Sequence, residues 1–166
     1  DILPKDKQST DMYWESSEDV EAILAQGYSR LRTCVPYIIN WGELRGSSVI
    51  VPGRGTKTGL IQNFQVLPST STVQWGTFYQ VIGMANAVLK YAPTVMDKDA
   101  SYYESRMNSH LTEAYFLRGL SYLYLVRNFR EVPLITEPYV DDAMPNDVAK
   151  SSETEILELI KSDVRA

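Results

Sequence analysis

The residues that could carry acid–base chemistry are few and scattered along the chain. His110 is the sole histidine of the 166 residues, so it would have to be the centre of any Ser-His-Asp arrangement, and a two-histidine metal site is excluded. It stands within a helical pattern, with no nucleophile marked beside it. Asp141 and Asp142 could form the carboxylate pair of a glycosidase, but nothing distinguishes them from a solvated acidic turn. The sequence gives little support for an enzyme.

Two short stretches resemble ligand-binding loops but fail at the required positions. GRGTKTG (residues 53–59) has Thr58 where a phosphate-binding loop needs Gly followed by Lys, so we interpret it as a flexible glycine-rich loop. DKDAS (residues 97–101) begins like a calcium loop, yet Tyr102 takes the place of the required Gly and Asn108 that of the final Glu. We interpret it as a helix-capping turn, and no metal or cofactor is indicated.

Composition narrows the class of protein further. The formal net charge is −5 with no basic run, which argues against nucleic-acid binding. Cys34 is the single cysteine, so an internal disulfide and a cysteine-rich zinc site are excluded, and its place on an apolar stripe predicts a buried side chain. The longest apolar stretch, residues 116–135, is interrupted by Arg118 and Arg127 before it reaches the ~20 residues that a membrane span needs. It predicts a buried helix.

Four helical patterns would position these residues in one all-α domain. The first opens with a capping box at Ser16 and Asp19 and should fray by Pro36. The second spans about residues 74–91 and should be closed by Pro93. Its apolar stripe includes Asn86, whose amide needs partners and would lock two packed helices together.

The third and fourth helical patterns each begin with a further capping-box sequence. One starts near Ser101, with Glu104 three residues on, and can run to Asn128, so Arg118 within it must be paired or reach the surface. An extended strap, EVPLITEP, should follow it. The other starts at Ser152 with Glu155. Between the first two patterns lies a long irregular loop, about residues 45–73, which is the first place to look for a ligand.

The chain also resembles a known family along almost its whole length. TEAYFLRGLSYLYLVRNFREVPLITEP (residues 112–138) is similar to the signature helix and strap of the SusD/RagB family. WGTFYQVIGMANAVL (75–89), NWGELRGSSV (40–49) and SSETEILELIKSDV (151–164) resemble the family's flanking segments in the same order. Arg130 and Glu131 stand where the family usually has Gly-Asp. The family's proteins are longer and carry a lipidated cysteine absent here, so this would be an N-terminal portion.

The resemblance implies tetratricopeptide-like helical pairs with a long irregular loop insertion. It further implies a lipid-anchored lipoprotein on the outer-membrane surface that captures oligosaccharides without catalysis and passes them to a SusC-type TonB-dependent transporter. The matching loop offers Trp41, Arg54, Asn63 and Phe64 as ligand-binding residues, with no metal or cofactor. Eleven Tyr, three Trp and four Phe would suit stacking on sugars, although most aromatic residues in a helical domain are core.

Two other functions stay open at this point. The chain could be a helical scaffold for protein–protein interaction, or it could bind a nutrient other than a glycan, such as a peptide. A helical glycosidase is a third possibility, but no carboxylate pair predicts it. Sequence leaves open which glycan or other nutrient is bound, whether the whole site lies in this portion, and the oligomeric state.

Overall fold

The computed structural model describes residues 13–46, 48–53, 55–67, 74–138 and 147–166. Over these residues the chain forms five α-helices, a 3-10 turn and one two-stranded ladder. The helices are α1 (Ser17–Gly42), α2 (Lys57–Gln62), α3 (Gly76–Val95), α4 (Glu104–Phe129) and α5 (Glu153–Arg165), and the 3-10 turn is Glu43–Arg45. The ladder pairs β1 (Val132–Pro133) with β2 (Lys150–Ser151) in antiparallel register. The predicted all-α class is confirmed.

The long helices pack side by side around one core. Helix α3 packs against both α1 and α4, and α5 packs against α4. The largest fully buried side chains of α3 and α4 include Phe78, Ile82, Leu117, Tyr122 and Leu125. The longest apolar stretch of the sequence therefore lies mostly in a helix whose apolar side chains largely pack on its neighbours, as predicted, although Phe116 and Leu123 are exposed. Among the described residues, no helix combines the length and hydropathy needed to cross a bilayer.

Two of the three predicted capping boxes are present. The carboxylate of Asp19 accepts a hydrogen bond from the Ser16 backbone N–H at 2.8 Å at the start of α1. At the start of α5, the Ser152 N–H donates to Glu155 at 2.8 Å, and the Glu155 N–H donates to the Ser152 hydroxyl at 3.3 Å. These reciprocal bonds satisfy amide groups that a helix start leaves without intrahelical partners.

The third capping box, at Ser101, was a wrong prediction. Helix α4 begins after Tyr103, and the Ser101 backbone N–H and hydroxyl both donate to one oxygen of Asp99, at 2.8 and 2.7 Å. Its other oxygen accepts from the Ser17 N–H at 2.9 Å. Asp99, which is nearer in sequence than Glu104, thus holds Ser101 in a local turn. The stretch from Asp97 to Ser101 is a capping turn, as predicted, but it caps the distant helix α1.

Both prolines lie inside helices instead of ending them. Helix α1 continues past Pro36 to Gly42, and α3 continues past Pro93 to Val95. Pro36 and Pro93 are exposed, so water can reach the backbone around each interrupted bond. Apolar residues beyond each proline still pack on the core: Val95 is fully buried, and Trp41 is half-buried. Tertiary packing outweighs the local penalty.

The strap after α4 is extended, as predicted, and the hydroxyl groups of two tyrosines bind its backbone. The Tyr79 hydroxyl donates to the Pro133 carbonyl at 2.6 Å. The Tyr122 hydroxyl donates to the Ile135 carbonyl at 3.0 Å and accepts from the Ile135 N–H at 2.7 Å. Burial raises the pKa of the Tyr122 phenol to about 12, so it stays a donor at neutral pH.

Candidate functional site

The segment predicted to be an irregular loop contains helix α2, which the sequence analysis missed. Its N-cap is Thr56, whose hydroxyl accepts from the Gly59 N–H at 3.1 Å. The Gln62 side chain fastens α2 to the extended residues before it, accepting from the Val51 N–H at 3.0 Å and donating to the Val49 carbonyl at 2.6 Å. The segment therefore has a defined framework on which side chains can be presented.

Helix α2 ends in a turn that places Phe64 in an unusual backbone conformation. Phe64 has φ +58°, a left-handed region that bulky residues rarely adopt. The Phe64 N–H donates to the Ile61 carbonyl at 3.1 Å, and the Gln65 N–H donates to the Leu60 carbonyl at 2.8 Å. This pair of bonds is a Schellman motif, in which the left-handed position usually holds glycine. A phenylalanine here costs about 1 kcal/mol of backbone strain.

The strain does not serve to bury the ring. Phe64 is 71% exposed, although most large apolar side chains gain their stability from burial. The guanidinium carbon of Arg45 lies 5.3 Å from the centre of the Phe64 ring, within the range of a cation–π contact. Core packing therefore explains neither the exposure of this ring nor its backbone strain.

Asn63 lies beside Phe64 and presents an amide to solvent. Its side-chain nitrogen donates to the Gly59 carbonyl at 2.7 Å, which fixes the orientation of the carboxamide. Among the described residues, its amide oxygen has no hydrogen-bond partner. Asn63 and Phe64 are therefore neighbouring exposed groups on one preorganised turn.

The other two predicted ligand-binding residues differ from this pair. Trp41 is half-buried: its ring stacks on Phe78 with centroids 5.3 Å apart and meets Phe129 edge-on at 5.3 Å. It lies at the end of α1 within the core's aromatic cluster. Arg54 lies outside the described residues. The structure thus brings Asn63 and Phe64 together and adds Arg45, which the sequence analysis did not name as a ligand-binding residue.

A second polar cluster lies deep in the helical core. Arg118 is 7% exposed, and its Nε and Nη2 donate to the two carboxylate oxygens of Asp163 at 2.9 and 2.6 Å. Its Nη1 donates to the Asn86 amide oxygen at 2.9 Å. The Asn86 nitrogen donates to the carbonyl groups of Ile135 and Glu137, at 3.0 and 3.3 Å.

This cluster joins α3, α4, α5 and the strap, and its polar groups are occupied by one another. The expectation that Arg118 would be paired and that Asn86 would join packed helices is confirmed. Asp163 was missed, although it lies seven residues after the buried Ile156 and so on the same face of α5. Because the carboxylate is already bonded to a buried guanidinium, the cluster is structural.

The remaining candidates for chemistry are also engaged in packing. The Nδ1 of His110 lies 2.9 Å from the Tyr102 hydroxyl, and its Nε2 lies 3.7 Å from a Glu21 oxygen that also accepts from Arg106. Cys34 is buried, as predicted, and burial raises the pKa of its thiol to about 11.

Of the two acidic stretches considered in the sequence, the structure describes only residues 97–101. The described residues include no group of three or more metal-ligating side chains, and both oxygens of Asp99 bind protein donors. Asp141 and Asp142, the pair considered for glycosidase chemistry, lie outside the described residues.

Comparisons with known proteins agree with this architecture. Residues 6–166 match the SusD-like family model described as "Starch-binding associating with outer membrane". The SusD-like proteins P38 and P2 of Formosa agariphila are 29% and 26% identical, over 99% and 92% of this chain and 32% and 31% of their own lengths. The structure of a SusD-like carbohydrate binding protein from Bacteroides fragilis NCTC 9343 aligns with a TM-score of 0.64 at 18% identity, covering 91% of this chain and 31% of that chain.

The chain belongs to the SusD-like family. Its fold is helical and tetratricopeptide-like, as the resemblance implied. It spans about a third of the length of the curated relatives that it matches.

Proposed function

We propose that this chain is part of a surface protein that captures oligosaccharides at the outer membrane and passes them, without catalysis, to a SusC-type TonB-dependent transporter. Membership of a family described as starch-binding and associating with the outer membrane supports this proposal. The share of the relatives' length that the chain spans leaves room for further ligand contacts elsewhere in the whole protein. Attachment would be through a lipid anchor outside this sequence.

The observation that carries the proposal is the exposed pair Asn63 and Phe64. A sugar ring has an apolar face of C–H groups that stacks on an aromatic ring, and hydroxyl groups that need donors and acceptors. Phe64 would supply one flat face of its ring, while Arg45 lies over the other face. The Asn63 carboxamide would exchange hydrogen bonds with hydroxyls. Because the turn is already closed by backbone hydrogen bonds, little ordering would accompany binding.

The roles of the other two predicted residues follow from their positions. Trp41 would act indirectly, by fixing the end of α1 that leads into this segment, since its ring already contacts Phe78 and Phe129. Arg54 precedes α2 in sequence, and we propose that it adds a charged donor for hydroxyl groups.

The proposal is tested on the full-length protein in two stages. A glycan array identifies a ligand, and calorimetry then compares the parent protein with Asn63→Ala and Phe64→Ala. We expect each substitution to weaken binding by about 10-fold or more, the equivalent of one lost contact of ~1.4 kcal/mol. Tyr103→Ala is the matched control and should leave affinity unchanged, because Tyr103, at the start of α4, is similarly exposed at 62% against 71% for Phe64.

Three outcomes would contradict parts of the proposal. Unaltered affinity in both variants would remove this turn from the binding site. An array without hits, together with binding of peptides, would replace glycan capture by capture of a peptide nutrient. Release of shortened sugars from a bound oligosaccharide would contradict a role without catalysis.

A further inference from the structure

A depression between α1 and α4 lies away from the turn that carries Phe64; we call it the α1–α4 depression. Its volume is about 310 Å³, and its walls come from the first half of each helix. The residues that line it are Glu21, Leu24, Ala25, Tyr28, His110 and Glu113. Most of them carry hydrogen-bonding side chains, so this surface suits a polar ligand.

His110 supplies a hydrogen-bond donor to the α1–α4 depression. The residue is 7% exposed, and its ring stacks on the Tyr102 ring with centroids 5.5 Å apart. The Tyr102 hydroxyl lies 2.9 Å from Nδ1, and burial raises the pKa of this phenol to about 12, so it is a proton donor at neutral pH. When Nδ1 accepts that hydrogen bond, the imidazole proton is on Nε2. The Tyr102 hydroxyl thus fixes the tautomer that presents an N–H to the depression.

Carboxylate acceptors lie beside this donor. A Glu21 oxygen is 3.7 Å from Nε2, which is longer than a hydrogen bond, and it accepts from Arg106 at 2.7 Å. Glu113 is one turn after His110 in α4. Burial and the hydrogen bond from the Tyr28 hydroxyl to Glu113 raise the pKa of that phenol. A hydroxyl group about 2.8 Å from both Nε2 and the Glu21 oxygen would accept from one and donate to the other, so the gap suits one hydroxyl.

The arrangement favours a neutral sugar residue over a charged ligand. Each hydroxyl of a sugar both donates and accepts, which matches an N–H beside carboxylates. Tyr28 is 39% exposed, so part of its ring can contact the C–H face of the sugar. An acidic sugar would be repelled by Glu21 and Glu113, since Arg106 is already paired with Glu21. An ammonium group would face the Nε2–H donor and carboxylates that already have partners.

We propose that the α1–α4 depression is a second glycan subsite, which binds one neutral sugar residue through the Nε2–H of His110 and the two carboxylates beside it. The proposal rests on glycan capture as the function of the whole protein. At a rise of about 1.5 Å per residue, Tyr28 lies roughly 25 Å along the helical segment from Arg45, which contacts Phe64. The two subsites therefore contact different sugar residues, and each can be measured without the other.

The test is NMR of the full-length protein with isotope-labelled histidine rings. The His110 resonance is assigned by its absence in His110→Gln. Glucose, galactose, mannose and xylose are titrated separately as neutral probes, with glucuronate and galacturonate as acidic counterparts. We expect at least one neutral sugar to shift the His110 resonance in a saturable way, and neither acidic sugar to do so.

Substitutions on both helices connect that shift to the depression. Glu113→Ala and Tyr28→Ala are made separately, so that a folding defect in one leaves the other to decide. Each should weaken binding of the neutral sugar by about 10-fold, as expected for the loss of one polar contact that involves a charged group. Ser109→Ala, next to His110 in sequence but outside the lining of the depression, is the matched control and should leave binding unchanged.

Several results would overturn the second subsite. They are the absence of a His110 shift with every neutral sugar, an equal shift with an acidic sugar, and binding that neither Glu113→Ala nor Tyr28→Ala weakens. Phe64→Ala separates this proposal from the proposed function, since it should weaken capture of the glycan identified by the array and leave the His110 shift unaltered. Capture through Phe64 without any His110 shift would retain the proposed function and remove only the second subsite.

Discussion

Two arginines in this chain have opposite surroundings. Arg118 is buried in the helical core and donates three hydrogen bonds, to Asp163 and Asn86. Arg45 is exposed and lies over the Phe64 ring on the surface turn. In the core, Arg118, Asp163 and Asn86 bond to one another, and Asn86 also bonds to the strap. On the turn, the backbone is strained, the aromatic ring is largely exposed, and an amide oxygen faces no described partner.

The difference separates residues that hold the fold from residues available to a ligand. A buried charge is tolerated only when its partners satisfy it, so its pairing is explained by folding alone. An exposed phenylalanine with positive φ adds little to folding and carries a backbone penalty. The core network therefore explains how the helices are fixed, and the turn is where we expect binding. Four predictions test this contrast, in order of decreasing effect.

Removing the carboxylate partner of Arg118 should have the largest effect. Asp163→Ala leaves a buried guanidinium without its counter-charge, and we expect the free energy of unfolding to fall by about 3–5 kcal/mol. Urea denaturation measures it. Glu158→Ala, which removes an exposed carboxylate of the same helix paired with Lys161, should change it by less than about 0.5 kcal/mol. A loss below ~1 kcal/mol for Asp163→Ala would mean that water reaches the Arg118 guanidinium in the variant.

Glycine substitutions at Phe64 and Arg130, the two described residues other than glycine with positive φ, should separate an effect on stability from an effect on binding. Arg130 has φ +63° and ψ −78°, and the Glu131 N–H donates to the Phe129 carbonyl across it, a strained γ-turn. We expect Arg130→Gly and Phe64→Gly each to raise the free energy of unfolding by about 1 kcal/mol, since glycine adopts these angles freely. Only Phe64→Gly should weaken glycan binding. Equal binding by both variants would count against the turn as a site.

The contact between Arg45 and Phe64 should be weak but measurable. A double-mutant cycle with Arg45→Gln and Phe64→Leu, followed by urea denaturation, should give a coupling free energy of about 0.5 kcal/mol, as expected for an exposed cation–π pair. Arg45→Lys should retain part of it. A coupling of zero would show that the arginine does not hold the ring in solution.

Acid should destabilise the start of α1, because it protonates the Asp99 carboxylate that binds there. Hydrogen bonds from the Ser101 side chain and the Ser17 backbone hold the pKa of the Asp99 carboxyl well below its ordinary value of 3.8. A lowered folded-state pKa gives stability that is present above the unfolded value and is lost as pH falls through the folded one. As pH falls below 5, the free energy of unfolding should therefore decrease less steeply in Asp99→Asn than in the parent. Asp97→Asn, exposed and two residues away, should behave like the parent.

Local sequence signals predicted much of the fold. The helical stripes and the boxes at Ser16 and Ser152 are set by residues three to four apart, so they are legible without tertiary structure. The burial of Asp163 could not be recognised in this way. A carboxylate on a helix rich in glutamate usually faces solvent, and only its register with Ile156 places Asp163 in the core. The helix ends at Pro36 and Pro93 were misjudged because distant packing decides them.

The candidate site was less predictable than the fold. Asn63 and Phe64 were named from the family resemblance and from their place in a segment without periodicity. The six-residue helix before them includes Gly59 and is too short to show a stripe. The positive φ of Phe64 arises from the hydrogen bonds that close that helix, and nothing in the side-chain pattern marks it. The packing of Trp41 likewise depends on α3 and α4, which are distant in sequence.

The capping turn at residues 97–101 affects the order in which parts of the chain can fold. Asp99 binds the backbone of Ser17, 82 residues earlier, and Lys98 donates to the Trp14 carbonyl and to Glu15. The start of α1 is thus held by residues that the ribosome adds long after it has synthesised α1. A nascent chain that has not yet reached Asp99 lacks these contacts, so the native start of α1 forms late, by closure of a long loop.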